Sequence, residues 1–390
     1  MWEWALSAPI EAIKLRYLAL QGSAVGRSPS RVGRERLMKL WYIASTLVLA
    51  SWGLPAATSA QELAKVNLKV SGGNQTQNLF RYVYKPFFTK ELTERSNGAI
   101  TTTFGSLEEL GMRGPEVLRL LRQGVFDISE GTLSYMAGED PRFDALDLPG
   151  VTLDIDTQRK AVDAFRPVLA KVMVEKFNTK LLSMSPVALQ VYYCKGKISG
   201  IASLKGKKVR TFNRAMSDLV EAVGGSTINL PFAEVIPAMQ RGVAECAITG
   251  TSAGNTARWW EVSDHLYTLP MGWSMTFFGA NQRNWDRLSP QTRTLLEKEF
   301  VDLENRMWAQ AKADIQDGIN CNTGKGECKD GIVANPPMTL VEVSAEDRQQ
   351  GQKILRERVL VEWARRCGAE CAVQWNETVG RIAGVEATPH

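Results

Sequence analysis

The chain has 390 residues, 44% of them hydrophobic and 23% charged, an ordinary globular composition with length for two or three compact units. The formal charge of +5 sits mostly at the front, where residues 1–60 hold seven Lys/Arg and three Asp/Glu, a net +4, which leaves 5 − 4 = +1 for the rest. So even a balance excludes a strong electrostatic footprint for nucleic acid or an anionic membrane surface.

"MKLWYIASTLVLASWGLPAATSAQ", residues 38–61, comes first. Lys39 precedes an apolar run, Leu40–Leu54, that is short for a membrane span, and "ATSA" offers small residues before a cut after Ala60. This is the form of a secretory signal peptide at 38–60, and it makes Met38 the expected start, with 1–37 an over-extended beginning. In an exported chain, six cysteines suggest disulfides. Cys321 with Cys328 and Cys367 with Cys371 are the simplest pairs. Cys194 and Cys246, in apolar strand-like runs, are either buried thiols or a third bridge. A four-cysteine zinc site lacks the usual spacing, and no metal is expected.

Two segments then repeat one pattern, "EVLRLLRQGVFDIS" (Glu116–Ser129) and "EVIPAMQRGVAECA" (Glu234–Ala247). Each has Glu-Val, apolar residues at helical spacing, a glycine that ends the helix (Gly124, Gly242) and an acidic residue three positions on (Asp127, Glu245). Pro237 fits only in the first turn of its helix. Before the first copy stand a strand 67–70, a helical stretch to about Ser96 and a strand 99–104. Before the second stand a strand 208–212, a helix and a strand 226–230. That helix has Met216, Leu219, Val220 and Val223 on its core face, and Gly224-Gly225 stop it.

Strand–helix–strand–helix–strand, twice over, predicts two α/β lobes with parallel sheets. Ligands of such sheets collect beyond the carboxyl ends of the strands. The expected cleft is therefore Ser71–Gln75 and Ser129–Gly131 in lobe one, and Arg210–Asn213 and Thr249–Thr251 in lobe two. Arg210 is the odd residue, a guanidinium in the buried strand with Val209, Thr211 and Phe212, costly unless an anion pairs with it. The anion is either a carboxylate of the chain, Glu221 or Glu234, or a ligand.

The stretch "LKGKKVRTFN", then "GG", then "LPFAEVIPAMQRGVAE", resembles the middle of the TRAP-type solute-binding proteins, the exported receptors of tripartite ion-driven transporters. The likeness continues in "FGSLEELGMRGPEVLRLLRQGVFDIS", "NWDRLSPQTRTLLEKEFVDLENRMWAQAKADIQD" and "VQWNETVGRI", nearly all of the exported part. It implies a two-lobed periplasmic-binding-protein-like α/β fold with mostly parallel sheets and a long helix spanning both lobes. Lobe I is expected at 61–187 plus about 274–300, lobe II at 188–273 plus about 315–390, and the spanning helix at 290–317, with Leu295, Leu296, Leu303, Trp308 and Ile315 as its apolar side.

The resemblance implies that Arg210 grips a ligand carboxylate. Thr249, beside Gly250 and Thr251, falls where many relatives place an asparagine that touches the ligand. Gln190 stands near where relatives with acidic sugar ligands have a second arginine, and the absence of that arginine favours a small monocarboxylate or a carboxylate with an apolar body. Asn213 would complete the grip from lobe two. Glu130 with Asn74 or Gln75 would close from lobe one, although Glu130 also reads as a helix N-cap carboxylate and the other two as plain turn residues. Among Trp259, Trp260 and Trp273, otherwise core residues, Trp273 is the choice for a cleft wall. The implied function is a periplasmic receptor that captures a small organic acid, as a monomer without cofactor, and delivers it to membrane subunits.

Two other readings share parts of this pattern. A receptor of another transporter class, or of a sensor, would lack the spanning helix. An exported enzyme would need a carboxylate dyad from Asp127 or Glu130 with Glu245. The chain has only two histidines and no GxSxG, P-loop or metal-spaced cluster.

Overall fold

The computed structural model describes residues 63–388. The expected leader at 38–60 and the extension at 1–37 lie outside them. The strands are β1 (Val66–Ser71), β2 (Ile100–Gly105), β3 (Ile128–Thr132) and β4 (Thr179–Pro186), then β5 (Gln190–Cys194), β6 (Lys208–Thr211), β7 (Ser226–Asn229) and β8 (Cys246–Gly250). β9 (His265–Tyr267), β10 (Met275–Asn281) and β11 (Thr339–Val341) complete them. They form two sheets, β2-β1-β3-β10-β4 in lobe one and β11-β9-β5-β8-β6-β7 in lobe two.

Each sheet is built on one copy of the sequence repeat. β1 runs parallel to β2 and β3, and β6 runs parallel to β7 and β8. Antiparallel strands flank both units: β10 against β3 and β4, β5 against β8 and β9. With the parallel β9–β11 pair, five of the nine pairings among the described residues are parallel. The sheets are thus more mixed than alternating strands and helices suggest. β4 passes into β5 through residues 187–189 alone, and β10 returns to lobe one from lobe two. A strand arriving from the other lobe brings no crossover helix, so nothing compels it to run parallel.

The repeat helices are α1 (Val117–Gln123) and, in lobe two, Val235–Gln240. Left-handed Gly124 (φ 78°) caps the first, and Gly242 (φ 70°) follows the second. Pro237 is the third residue of its helix, in the first turn, where its missing N–H has no helical partner to lose. The acidic residues of the repeat have matching roles. Asp127 accepts the Lys69 N–H at 2.8 Å, and Glu245 accepts the Lys208 N–H at 3.0 Å. Each thereby ties the third strand of its unit to the first. Helix α2 (Arg214–Ala222) buries Met216, Leu219 and Val220 as its spacing requires, with Val223 half-buried just past its end.

Helix α3 (Pro290–Thr323) is one continuous helix of 34 residues, about 50 Å long. It outruns the expected end at Asp317 because its last turns are held by lobe two: Asn322 Nδ2 donates to the Tyr193 hydroxyl (2.8 Å) and the Thr251 carbonyl (2.9 Å). Leu296, Phe300, Leu303 and Met307 pack with lobe-one residues such as Phe87 and Phe88. The Trp308 indole donates to the Met184 carbonyl at 2.9 Å. A receptor lacking the spanning helix is thereby excluded on architecture.

All six cysteines are bridged, Cys321–Cys328 and Cys367–Cys371 as expected and Cys194–Cys246 as the third pair. Cys194 and Cys246 lie directly opposite on antiparallel β5 and β8. No thiolate set remains for a four-cysteine metal site. Among the described residues no helix is long and apolar enough to cross a membrane.

Candidate functional site

β6 delivers Arg210 into the interior with its side chain 1% exposed. Register sets it beside Ala247 of β8, a small neighbour for a large side chain. Nε donates to the Leu230 carbonyl (2.9 Å) and Nη1 to the Ile248 carbonyl (2.7 Å). The guanidinium carbon lies 5.3 Å from the Phe212 ring centre and 5.7 Å from that of Trp259, within cation–π range. Among the described residues no carboxylate forms an ion pair with it. Glu221 is engaged by Arg214 (2.9 Å) and Thr227 (2.9 Å), and Glu234 by Arg113 (3.0 Å), so neither intramolecular candidate pairs with Arg210. Burial pulls the Arg210 pKa down to about 10, against the Tyr135 hydroxyl beside it, which supports the charge. The side chain remains a cation at neutral pH.

Asn213, two residues past β6, caps α2, its Oδ1 accepting the Met216 N–H at 2.8 Å. The cap fixes the amide, and Nδ2 is buried with no partner among the described residues. Thr249, at the end of β8, is 5% exposed, and its hydroxyl makes no hydrogen bond among the described residues. Gly250 is required by close packing, since a Cβ there would lie 2.8 Å from that of Ala188 and 3.3 Å from Gln190 Nε2. Gln190 directs that amide to the Ala188 carbonyl at 2.8 Å, inside the β4–β5 connection.

Thr251 departs from the expectation. Its hydroxyl donates to the Asp314 and Ile315 carbonyls of α3 (3.2 and 3.0 Å), which fastens the spanning helix to lobe two. Gly318 of α3 lets the two backbones touch here, since a Cβ on it would overlap the Ser252 nitrogen.

In lobe one, Glu130 sits within β3, opposite Phe278 of β10, and is not a helix N-cap. The carboxylate accepts the Thr276 hydroxyl. Burial raises its pKa to about 7; the Thr276 bond opposes the shift and Glu108 adds to it. A Cβ on Gly73 would lie 3.1 Å from Glu130 Oε2, so the loop after β1 lies against this carboxyl group. Asn74 opens a turn, its carbonyl accepting the Gln77 N–H at 3.1 Å. Gln75 is exposed and its N–H goes to Glu108 (3.0 Å), which makes it a surface turn residue.

The three tryptophans differ in their surroundings. Trp273 belongs to the main apolar core, with its indole N–H donated to the Thr152 hydroxyl (2.9 Å) and carbonyl (3.1 Å). Trp259 stands at the guanidinium, stacked on Phe232 with ring centres 5.1 Å apart. Trp260 donates its indole N–H to the Asn255 carbonyl.

Tyr135 was not singled out from sequence. It follows β3 on a short turn, Leu133–Met136, and its hydroxyl accepts the Phe232 N–H of lobe two at 3.1 Å. The only signal for it was its place just beyond a strand's carboxyl end. Glu130 and Glu245 have different partners, the Thr276 hydroxyl and the Lys208 N–H. Glu245 holds Lys208 at the start of β6, and Asp127 holds Lys69 inside β1. The arrangement is a buried cation with spare N–H groups, a fixed amide and a partly protonated carboxyl, which is equipment for holding an anion.

Comparison with known proteins agrees. The model of "Bacterial extracellular solute-binding protein, family 7" matches residues 74–364. A solute-binding protein of Albidiferax ferrireducens is 26% identical over 281 residues, 69% of this chain and 82% of that one. The fold is similar to that of a Bordetella pertussis extracytoplasmic solute receptor binding pyroglutamic acid (TM-score 0.72, 23% identity, 81% of this chain and 99% of that one). It is likewise similar to a TRAP periplasmic solute-binding protein from Rhodoferax ferrireducens with bound malonate (TM-score 0.71, 21% identity, 81% and 98%). With two lobes, a spanning helix and a matched stretch of this length, the chain belongs to the family 7 bacterial extracellular solute-binding proteins.

Proposed function

We propose that this receptor captures a small organic monocarboxylate between its lobes and presents it to the membrane subunits of its transporter. The carrying observation is Arg210, a nearly fully buried cation with no acidic partner among the described residues. Two of its five N–H groups hold carbonyls and one faces the Tyr135 oxygen, which leaves two to fork onto a carboxylate. Asn213 Nδ2 and the Thr249 hydroxyl add donors from lobe two, and Glu130 meets a ligand hydroxyl or N–H from lobe one. Gln190 in place of a second cation favours a single negative charge. Phe212 and Trp259 supply an apolar wall for the ligand body. Pyroglutamic acid, bound by one solved relative, is a small monocarboxylate of this kind, whereas malonate, bound by the other, carries a second carboxylate.

Binding works by population shift: a ligand bridging both lobes stabilises the closed form, which the membrane subunits then recognise. The receptor acts in the periplasm as a monomer, exported by the leader at 38–60. It has no nucleic-acid partner and carries out no covalent step. The test is thermal unfolding against a panel of small organic acids, because a bound ligand raises Tm. One or more acids should raise Tm in the wild type and none in Arg210→Lys, whose point charge cannot replace the fork. A Lys variant that responds like the wild type would overturn the assignment.

A further inference from the structure

We propose that Tyr135 is a ligand-positioning residue, whose phenol donates a hydrogen bond across the cleft to the carboxylate held by Arg210. The inference rests on the carboxylate reading above and deepens it. Tyr135 belongs to lobe one, yet its oxygen accepts the Phe232 N–H of lobe two at 3.1 Å and lies against the Arg210 guanidinium. A phenol has two lone pairs to accept with and one hydrogen to donate. A backbone N–H and a guanidinium are donors only, so they engage the lone pairs and leave the hydrogen over. No group among the described residues accepts it.

Burial raises the Tyr135 pKa while Arg210 pulls it the other way, and the net rise keeps the hydrogen in place. The ring is held by packing. It stands edge-on to Phe212 with ring centres 6.2 Å apart, and it covers Gly114, where a Cβ would come within 2.7 Å of the ring. Gly114 has φ +104°, a conformation that favours glycine. The phenol is therefore aimed without help from a ligand. A neutral donor from lobe one beside a cation from lobe two makes one two-sided seat for a carboxylate. It also explains how a charge seated in lobe two can favour closure by lobe one.

The experiment titrates wild type and Tyr135→Phe with pyroglutamate, malonate and orotate by calorimetry. It also follows the wild type labelled at tyrosine 13Cζ by NMR, with Tyr135 identified by the resonance the variant lacks. For an acid that binds the wild type, the variant's Kd should rise about tenfold to hundredfold, as for a lost bond to a charged group. The Tyr135 resonance should move when that acid is added. A hydroxyl that only braces Phe232 leaves the resonance in place, and that result overturns the assignment even if the variant folds poorly. A variant Kd within about twofold of wild type overturns it too. In both cases, loss of binding in Arg210→Lys would leave the carboxylate reading standing. If the wild type binds none of the three acids and none of the wider panel, the carboxylate reading fails first and the Tyr135 assignment falls with it.

Discussion

The two halves of the sequence repeat share a backbone plan and differ in what they carry to the cleft. Val70 pairs with Ile128 and Ser71 with Ser129 in lobe one; Val209 pairs with Cys246 and Arg210 with Ala247 in lobe two. Ser71 is thus the structural counterpart of Arg210. Where lobe one closes that position with a hydroxyl pair, Ser71 to Ser129, lobe two installs a charge and clears space for it with alanine. The reverse holds one step along the third strands. Glu130 of β3 corresponds to Ile248 of β8, whose carbonyl holds Arg210. Equivalent strands build the frame, and non-equivalent positions carry opposite chemistry.

The largest expected effect comes from erasing the asymmetry on the lobe-two side. Arg210→Met should abolish binding of the cognate acid, since a buried contact between charges is worth roughly 2–5 kcal/mol. The same variant should keep or raise the ligand-free Tm, because apolar replacements of buried charges are often neutral or stabilising. Calorimetry and a melt on one sample check both outcomes, and a destabilised variant would mean that the cation serves the fold.

Next comes the lobe-one side. Burial lifts Glu130 from 4.5 to about 7, so the folded chain holds that proton more tightly than the unfolded chain does. Its contribution to stability is full below pH 4.5 and is lost as pH rises through about 7, roughly 3 kcal/mol in all. Glu130→Gln should therefore stabilise the ligand-free protein at pH 8 and leave it nearly unchanged at pH 4, measured by urea unfolding at the two pH values. A gain of equal size at both would show that the carboxyl does not titrate as described.

The smallest effect tests the shared frame. Asp127→Ala and Glu245→Ala each remove the acceptor that ties the third strand to the first. Each should cost about 1 kcal/mol with ligand affinity unaltered. Asp127 Oδ1 also accepts Asn284 Nδ2 at 2.8 Å, so its variant should lose the more, and no loss in either would mean that these acceptors do not tie the strands.

Much of the frame was legible in sequence because it is written in local rules: helical spacing, glycine at a helix end, an acidic residue at a fixed offset. Arg210 was legible because a guanidinium in an apolar strand conflicts with its surroundings. Thr251 and Trp273 have partners that local sequence could not show. The Thr251 hydroxyl meets α3 and the Trp273 indole meets Thr152, partners distant in the chain. Tyr135 had no periodicity to reveal it, since it lies on a single turn and its partners come from the other lobe. The Cys194–Cys246 bridge depended on an antiparallel pairing that the repeat alone did not foretell.

Gly318 sets the clearance at which α3 meets lobe two, where any added Cβ would strike the Thr251–Ser252 backbone. From there the rigid rod runs back to Pro290, about 40 Å at 1.5 Å per residue. A single methyl at that fulcrum would be magnified along the rod, so the jaw spacing of the whole receptor hangs on one missing side chain.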